Sequence, residues 1–157
     1  YPLPEAQLDR FMFNILVKYP TFEEELSIVN ETTGSISKTI ENVISADEIV
    51  FFQNLVRKAP IASNVVEYAV NLSSKTRPKE PLATEDVKKY ISWGAGPRAS
   101  QFLVIGAKCH ALVNGKYSPD IEDVKAVAKP ILRHRIVKNY IAEADGMSID
   151  GIIDNLL

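Results

Sequence analysis

Residues 94–101 read Gly-Ala-Gly-Pro-Arg-Ala-Ser-Gln, and this stretch predicts the start of the longest helix in the chain. Proline is favoured in the first turn of a helix, because the N–H group that it lacks would have no partner there. The preceding Gly94-Ala95-Gly96 segment is interpreted as a hinge. The helix would run to about residue 113 and end at Asn114-Gly115, since glycine readily adopts the conformation that closes a helix. Its apolar stripe consists of Ala99, Phe102, Leu103, Gly106 and Val113.

Capping signals predict further helices on both sides of this one. Thr21 with Glu24, and Ser45 with Glu48, form capping boxes in which a hydroxyl and a carboxylate bind free N–H groups at a helix start. The two helices would end near residues 31 and 58, and the inner face of the second is predicted to be Ile49, Phe52 and Val56. Apolar spacing and turn residues predict further helices at 63–75, 84–90, 118–130 and 148–157.

Two segments near the ends of the chain predict short strands. Residues 11–17 are apolar and rich in aromatic and β-branched side chains, and residues 135–142 form the second segment. The two strands are candidates for pairing with each other, which would bring the ends of the chain together. The predicted fold class is therefore mainly α, a helical bundle with one or two short strands near the termini.

Composition limits the classes of function. The net charge is −2, so the chain has no overall basic field for nucleic acid, and the Arg133-His134-Arg135 cluster is interpreted as a solvated face. Cys109 is the only cysteine, which excludes an internal disulfide and fits a reducing compartment such as the cytoplasm. No apolar run approaches the roughly 20 residues that span a bilayer, so we expect no membrane insertion.

Most enzyme signatures are missing from the sequence. It contains no phosphate-binding loop of the type G-x-x-x-x-G-K-[ST], no G-x-G-x-x-G and no H-E-x-x-H. His110 lies on the apolar stripe of the longest predicted helix, which favours a packed helix histidine over a metal ligand. Its neighbour Cys109 would point about 100° away, so no metal site is predicted.

Two arginines are candidates for phosphate binding. Arg98 would lie in the first turn of the longest helix, where free N–H groups and the helix dipole attract anions. A cation there is unfavourable unless an anion is close, so its position favours an anionic partner. The alternative is a solvated or carboxylate-paired arginine. Arg10 lies between Asp9 and Phe11, and its ordinary interpretation is a salt bridge to Asp9 or to another acidic side chain.

Five segments together resemble the C-terminal part of a MoxR-family AAA+ ATPase. They are YPLPEAQLDRF at 1–11, the apolar segment with Tyr19-Pro20, GAGPRASQ at 94–101, HRIV at 134–137 and SIDGIIDNLL at 148–157. The resemblance covers essentially the whole chain. It implies that residues 1–18 are the last stretch of the ATPase core and that residues 19–157 are the α-helical lid. Residues 78–93 look longer than in compact members and are interpreted as an insertion.

The resemblance also implies roles for single residues. Arg98, with Gly96 and Pro97, is similar to the second-sensor segment, whose arginine reaches the phosphates of the nucleotide in its own subunit. Arg10 resembles the arginine finger, which contacts the γ-phosphate held by a neighbouring subunit. An arginine in that position accelerates phosphoryl transfer by about 10³–10⁵.

The parent protein would accordingly be a cytoplasmic, ring-forming ATP hydrolase, with a hexameric ring expected. It would use ATP and Mg²⁺ and would remodel or mature protein clients in a chaperone-like way. The phosphate loop, the Mg²⁺-binding acidic motif and the first sensor would precede residue 1. The chain by itself is therefore expected to bind no cofactor and to be inactive.

Two other classes of function remain open at this stage. The chain could be a non-enzymatic helical module that docks protein partners, which the missing phosphate loop favours. It could also contain a helix-turn-helix nucleic-acid binder within residues 118–138, which the basic end of that segment favours and the net charge of −2 opposes.

Overall fold

A computed structural model describes residues 3–34 and 41–157, and this part of the chain is mainly helical, as the sequence predicts. Residues 1 and 2 of the predicted core remnant lie outside the described residues. The helices are α1 (Glu5–Leu8), α2 (Phe22–Thr32), α3 (Ala46–Lys58), α4 (Ser63–Lys75), α5 (Glu85–Tyr90), α6 (Pro97–Val113), α7 (Ile121–Leu132), α8 (Tyr140–Ala144) and α9 (Ile149–Asp154). The strands are β1 (Ile91–Trp93) and β2 (Val137–Lys138).

Helix α6 lies at the centre of the core and packs against α4 and α7. The residues of α6 that are fully shielded from solvent follow one another at intervals of one helical turn: Ala99, Leu103, Ala107 and Ala111. A Cβ at Gly106 would lie 3.2 Å from side-chain atoms of Val127 and Ile131, so this glycine lets α7 approach closely. The apolar stripe predicted for α6 is thus the core, except that Val113 at its end is 81% exposed.

Both predicted capping boxes are present. The Glu24 carboxylate accepts a hydrogen bond of 2.7 Å from the Thr21 N–H, and the Thr21 hydroxyl accepts one from the Glu24 N–H. Ser45 and Glu48 repeat the arrangement at the start of α3. The pKa of both glutamates is lowered, mainly by the hydrogen bond that the carboxylate accepts from the N-cap N–H and secondly by the one from the N-cap hydroxyl.

The predicted inner face of α3 is only partly covered in the described chain, where Val56 alone of its three residues is half-buried. Ile49 and Phe52 are 48% and 46% exposed, and no residue of α2 or α3 is buried. The capping signals fix where these helices begin, but a capping signal does not supply a surface to pack against. Within residues 3–34 and 41–157, the apolar faces of both helices are largely uncovered.

The predicted pairing of the two terminal strands is also wrong. Residues 11–17 form no strand in the described structure; the Asn14 N–H donates instead to the carbonyl of Pro130 at 2.8 Å. Strand β2 pairs antiparallel with β1, with Ile91 opposite Lys138. Strand β2 ends at Lys138 because the next side chain, that of Asn139, caps α8 by accepting a hydrogen bond of 3.0 Å from the Ala142 N–H.

Helix α7 does not stop at Pro130, contrary to the prediction. Proline removes one helical hydrogen bond and crowds the preceding turn, but two more helical residues follow it. Both of them, Ile131 and Leu132, are completely buried. Their packing keeps the last turn helical despite the proline.

The Gly94-Ala95-Gly96 segment is held by the end of α4. The Thr76 hydroxyl accepts a hydrogen bond of 2.9 Å from the Ala95 N–H, and Arg77 Nε donates to the Ala95 carbonyl at 2.8 Å. A Cβ at Gly94 would lie 2.3 Å from the Thr76 carbonyl oxygen. Glycine is therefore required here by a close backbone approach, and the hinge interpretation does not describe its role.

We expect Gly94→Ala to lower the free energy of unfolding by about 1–3 kcal/mol, because the new methyl group collides with backbone rather than with a movable side chain. Gly96→Ala is the matched control, since a Cβ there meets nothing within 4 Å. It should cost no more than about 1 kcal/mol, the effect of alanine at an N-cap. Chemical denaturation of the two variants checks this, and equal losses would contradict it.

Candidate functional site

The Arg135 guanidinium joins the N-terminal segment to the core. Its side chain is 1% exposed. Nε donates to the Asp9 carboxylate at 3.0 Å, and Nη2 donates to the carbonyls of Asp9 and Phe11 at 2.8 and 2.6 Å. Nη1 donates to the carbonyls of Met12 and Ile131. The Arg135 side chain thus holds residues 9–12 against the end of α7.

Burial lowers the pKa of Arg135, whereas the hydrogen bond from its guanidinium to Asp9 raises it. An arginine remains charged even so, because its ordinary pKa is far above neutrality. The guanidinium also lies 5.0 Å from the ring centre of Phe102, a distance typical of a cation–π contact. A buried charge needs such compensation, and Asp9 supplies the opposite charge.

The interpretation of the Arg133-His134-Arg135 cluster as a solvated face is wrong. Arg133 forms two hydrogen bonds of 2.8 Å to the Asp150 carboxylate, and Arg135 is buried. His134 Nε2 donates to the Phe11 carbonyl at 2.9 Å, since a carbonyl oxygen can only accept. The sequence did contain a signal for burial of this cluster, because the apolar residues Ile131, Leu132 and Ile136 flank it. All three are buried.

Arg98 lies in the first turn of α6, as predicted, and it is paired with Asp9. Its Nη1 donates to Asp9 Oδ2 at 2.7 Å, while the other carboxylate oxygen, Oδ1, binds Arg135. The Arg98 side chain is 43% exposed and that of Asp9 is 31% exposed. The carboxylate-paired alternative therefore describes Arg98 here, and Asp9 is the anion that a cation at a helix N-terminus needs.

The start of α6 has unused capacity for an anion. Gly96 is the N-cap and forms no side-chain cap, Pro97 follows, and the first turn contains no acidic residue. Pro97 has no N–H group, and the Ala99 N–H donates to the Gly96 carbonyl at 3.0 Å. The Arg98 side chain and the positive end of the helix dipole are therefore the features of this segment that attract an anion.

Arg10 is exposed and directly follows Asp9 in the turn after α1. Its backbone N–H donates to the Gln7 carbonyl at 3.1 Å. Its guanidinium forms no hydrogen bond or ion pair with another residue of the described chain. The salt bridge to Asp9 proposed as its ordinary role is absent, because Asp9 binds Arg98 and Arg135.

A cleft of about 320 Å³ lies beside the ion pair of Asp9 and Arg135, between α1, the glycine segment and residues 134–137. Trp93 forms part of its wall and is 70% exposed, while Glu5 adds an acidic group. Burial lowers the pKa of His134, which also lines the cleft, so this imidazole is neutral at pH 7. Neither Arg98 nor Arg10 lines this cleft, and the N–H groups of Arg135 in its wall are bound to protein acceptors.

His110 interacts with a buried carboxylate. Its Nδ1 lies 2.7 Å from Oδ1 of Asp123, which also caps α7 and binds Lys116. Burial by itself would raise the pKa of Asp123, but hydrogen bonds from the Asp120 backbone, His110 and Lys116 lower it to about 2. The described residues contain no cluster of three or more histidine, cysteine or acidic side chains that could hold a metal. No helix within residues 3–34 and 41–157 has the length and apolar character to cross a membrane.

We expect Arg135→Lys to lower the free energy of unfolding by about 1–3 kcal/mol for each carbonyl that it leaves without a donor, because an ammonium cannot reach all of these acceptors. Amide exchange of residues 9–12 should also become faster. Arg57→Lys, at an exposed position, is the control and should stay within about 0.5 kcal/mol of the unmodified chain. Unchanged stability of Arg135→Lys would show that Arg135 does not anchor the segment.

Comparisons with known proteins agree with the helical fold. The AAA lid domain family matches residues 83–156. The whole chain is 37% identical to Chaperone MoxR1 of Mycobacterium tuberculosis, of which it covers 41%, and 30% identical to the uncharacterized protein YeaC of Bacillus subtilis, of which it covers 47%. A crystal structure of a provisionally assigned ATPase from Cytophaga hutchinsonii matches 99% of this chain and 48% of its own, with a TM-score of 0.89 and 36% identity.

The chain spans less than half the length of each of these relatives. The family match begins at residue 83, so the interpretation of residues 78–93 as an insertion is wrong for 83–93, which belong to the matched lid. The helical fold and the matches together confirm the resemblance seen in the sequence, that to the C-terminal part of a MoxR-family AAA+ ATPase, and residues 83–156 match the AAA lid domain.

Proposed function

We propose that this chain is the lid portion of an ATP hydrolase and that its two exposed arginines act on nucleotide phosphates. In this proposal residues 1–18 end the ATPase core and residues 19–157 form the lid. The observation that carries it is the N-terminus of α6, where Arg98 is exposed and pairs with Asp9 in the turn that exposes Arg10. Arg98 is paired with the Asp9 carboxylate, and Arg10 is the next residue in the chain.

The residues present fit the phosphate groups of ATP. Gly96 and Pro97 begin α6, whose positive dipole end attracts anions, and Arg98 adds a planar guanidinium that can bind two oxygens. The fit does not extend to Mg²⁺, since no group of side chains in residues 3–34 and 41–157 could hold a metal. The ion would therefore be bound by other parts of the parent protein, where it would neutralise phosphate charge.

Arg10 is proposed to be the arginine finger that reaches a neighbouring subunit. It is exposed and unpaired within the described chain, which leaves its guanidinium available to a second molecule. A homo-oligomeric ring, expected to be a hexamer, would place it against the γ-phosphate of the next subunit. Hydrolysis would then depend on both lid position and ring assembly, which couples ATP turnover to movement.

The parent is proposed to be a cytoplasmic, chaperone-like protein that remodels or matures client proteins. The support is the similarity to Chaperone MoxR1. The uncovered apolar faces of α2 and α3 favour the alternative, a non-enzymatic interaction module. The nucleic-acid alternative loses its support, because Arg133 and Arg135 at the basic end of residues 118–138 are bound to Asp150 and Asp9.

In the full-length parent, we expect Arg98→Ala to weaken nucleotide binding by about 1.5–3 kcal/mol, the contribution of a charged hydrogen bond. The fold should lose only about 0–1 kcal/mol, because the pair with Asp9 is partly exposed. Lys129→Ala is the control, since it also removes an exposed ion pair, that with Asp154. Titration with a non-hydrolysable ATP analogue and thermal denaturation measure the two effects. A large loss of stability with normal binding would make Arg98 a structural residue.

Arg10→Ala should leave the parent folded and able to bind ATP, yet slow hydrolysis by about 10³–10⁵. The decisive measurement mixes this variant with one that lacks the phosphate-loop lysine of the parent. If Arg10 acts across subunits, some interfaces in mixed rings contain an intact pocket and an intact Arg10, and activity partly returns. Labelled subunits verify exchange, and Arg57→Ala controls for loss of an exposed arginine. No recovery after confirmed exchange would refute the assignment in trans.

A further inference from the structure

We propose that Asp9 is a positioning residue that holds Arg98 while no phosphate is bound and releases it when a nucleotide phosphate arrives. Asp9 would then act as an internal substitute for the ligand anion. This inference rests on the proposed function, because it requires that Arg98 binds phosphate.

The two halves of the Asp9 carboxylate are held very differently. Oδ1 binds Arg135, whose side chain is 1% exposed and donates to four backbone carbonyls besides. Oδ2 binds Arg98, whose side chain is 43% exposed. One of those four carbonyls is that of Asp9 itself, so both its backbone and its carboxylate are fixed by the buried arginine. When the pair between Asp9 and Arg98 opens, Arg98 is the partner that can move.

A phosphate has advantages over Asp9 in the competition for Arg98. It carries more negative charge and more acceptor oxygens than a carboxylate, and a guanidinium can bind it through two parallel hydrogen bonds. The positive end of the α6 dipole attracts the same anion. Arg98 forms a single hydrogen bond to Asp9, through Nη1 at 2.7 Å, so phosphate can replace this contact at small cost.

Release of Arg98 would also change the surroundings of Arg10. In the structure, Asp9 connects the N-terminus of α6 to the turn that carries Arg10, the next residue in the chain. Once Arg98 binds phosphate, that connection is broken and Oδ2 of Asp9 faces solvent beside Arg10. Phosphate binding at the lid thereby changes the electrostatic surroundings of Arg10, the residue proposed to act on the neighbouring subunit.

The test uses Asp9→Asn in the full-length parent, with affinity for a non-hydrolysable ATP analogue as the measurement. Without competition from the carboxylate, binding should tighten by about two- to five-fold, the equivalent of one partly exposed ion pair. In an Arg98→Ala background the same substitution should have no effect. Asp150→Asn is the matched control, because it removes a carboxylate from another arginine pair, that of Arg133, away from Arg98.

The outcomes separate the two proposals. If Arg98→Ala leaves binding unchanged, the proposed phosphate role of Arg98 fails, and the role of Asp9 fails with it. If Arg98→Ala weakens binding while Asp9→Asn leaves it unchanged or weaker, the phosphate role stands and the competition by Asp9 is refuted.

Asp9→Asn could prevent folding, since it removes the counter-charge of Arg135. Crystal structures of the unmodified parent with and without the analogue then decide the question. The contact between Arg98 and Asp9 should be present without the analogue and broken with it, while the contact between Asp9 and Arg135 persists. An intact contact between Asp9 and Arg98 in the presence of bound phosphate would overturn the proposal.

Discussion

A guanidinium buried away from water needs an acceptor for its N–H groups, and the acceptors of Arg135 come from residues 9–12 and from the end of α7. Each acceptor that is lost leaves a buried group unpaired, at a cost of about 1–3 kcal/mol. The chain near Asp9 therefore has little freedom to move away from α7. Arg10 follows Asp9 directly, so its position depends on the same set of hydrogen bonds.

Arg98 binds the other oxygen of the Asp9 carboxylate, and its position depends on a second set of contacts. The Thr76 hydroxyl holds the Ala95 N–H at 2.9 Å, and the missing side chain of Gly94 allows the Thr76 backbone to approach. The glycine segment thus sets the direction in which α6 begins. Packing of α6 against α4 and α7 keeps that direction fixed, because protein interiors are close-packed and resist small displacements.

The sequence was sufficient where a local signal decides the structure. Capping residues and proline positions predicted the starts of α2, α3 and α6, since these signals act within a few residues. It was insufficient where a distant partner decides. Residues 11–17 have the composition of a strand but no pairing partner in the described chain, and Arg135 is buried by residues more than a hundred positions away. The sequence did not decide whether Arg98 pairs with Asp9, because the two residues are 89 positions apart.

The contacts of Arg135 fix one backbone segment and those of Thr76 fix another. The ion pair between Asp9 and Arg98 is the weak contact that joins the two. Stability is not uniform across a protein, and the regions that change during function come from its less stable parts. The hydrogen bonds of Arg135 and Thr76 are buried, whereas the ion pair between Asp9 and Arg98 is partly exposed and contributes only about 0–1 kcal/mol. Any rearrangement here that costs little energy is therefore a movement of the Arg98 side chain, with both backbone segments staying in place. A site built in this way can exchange one anion for another without disturbing the core that positions it.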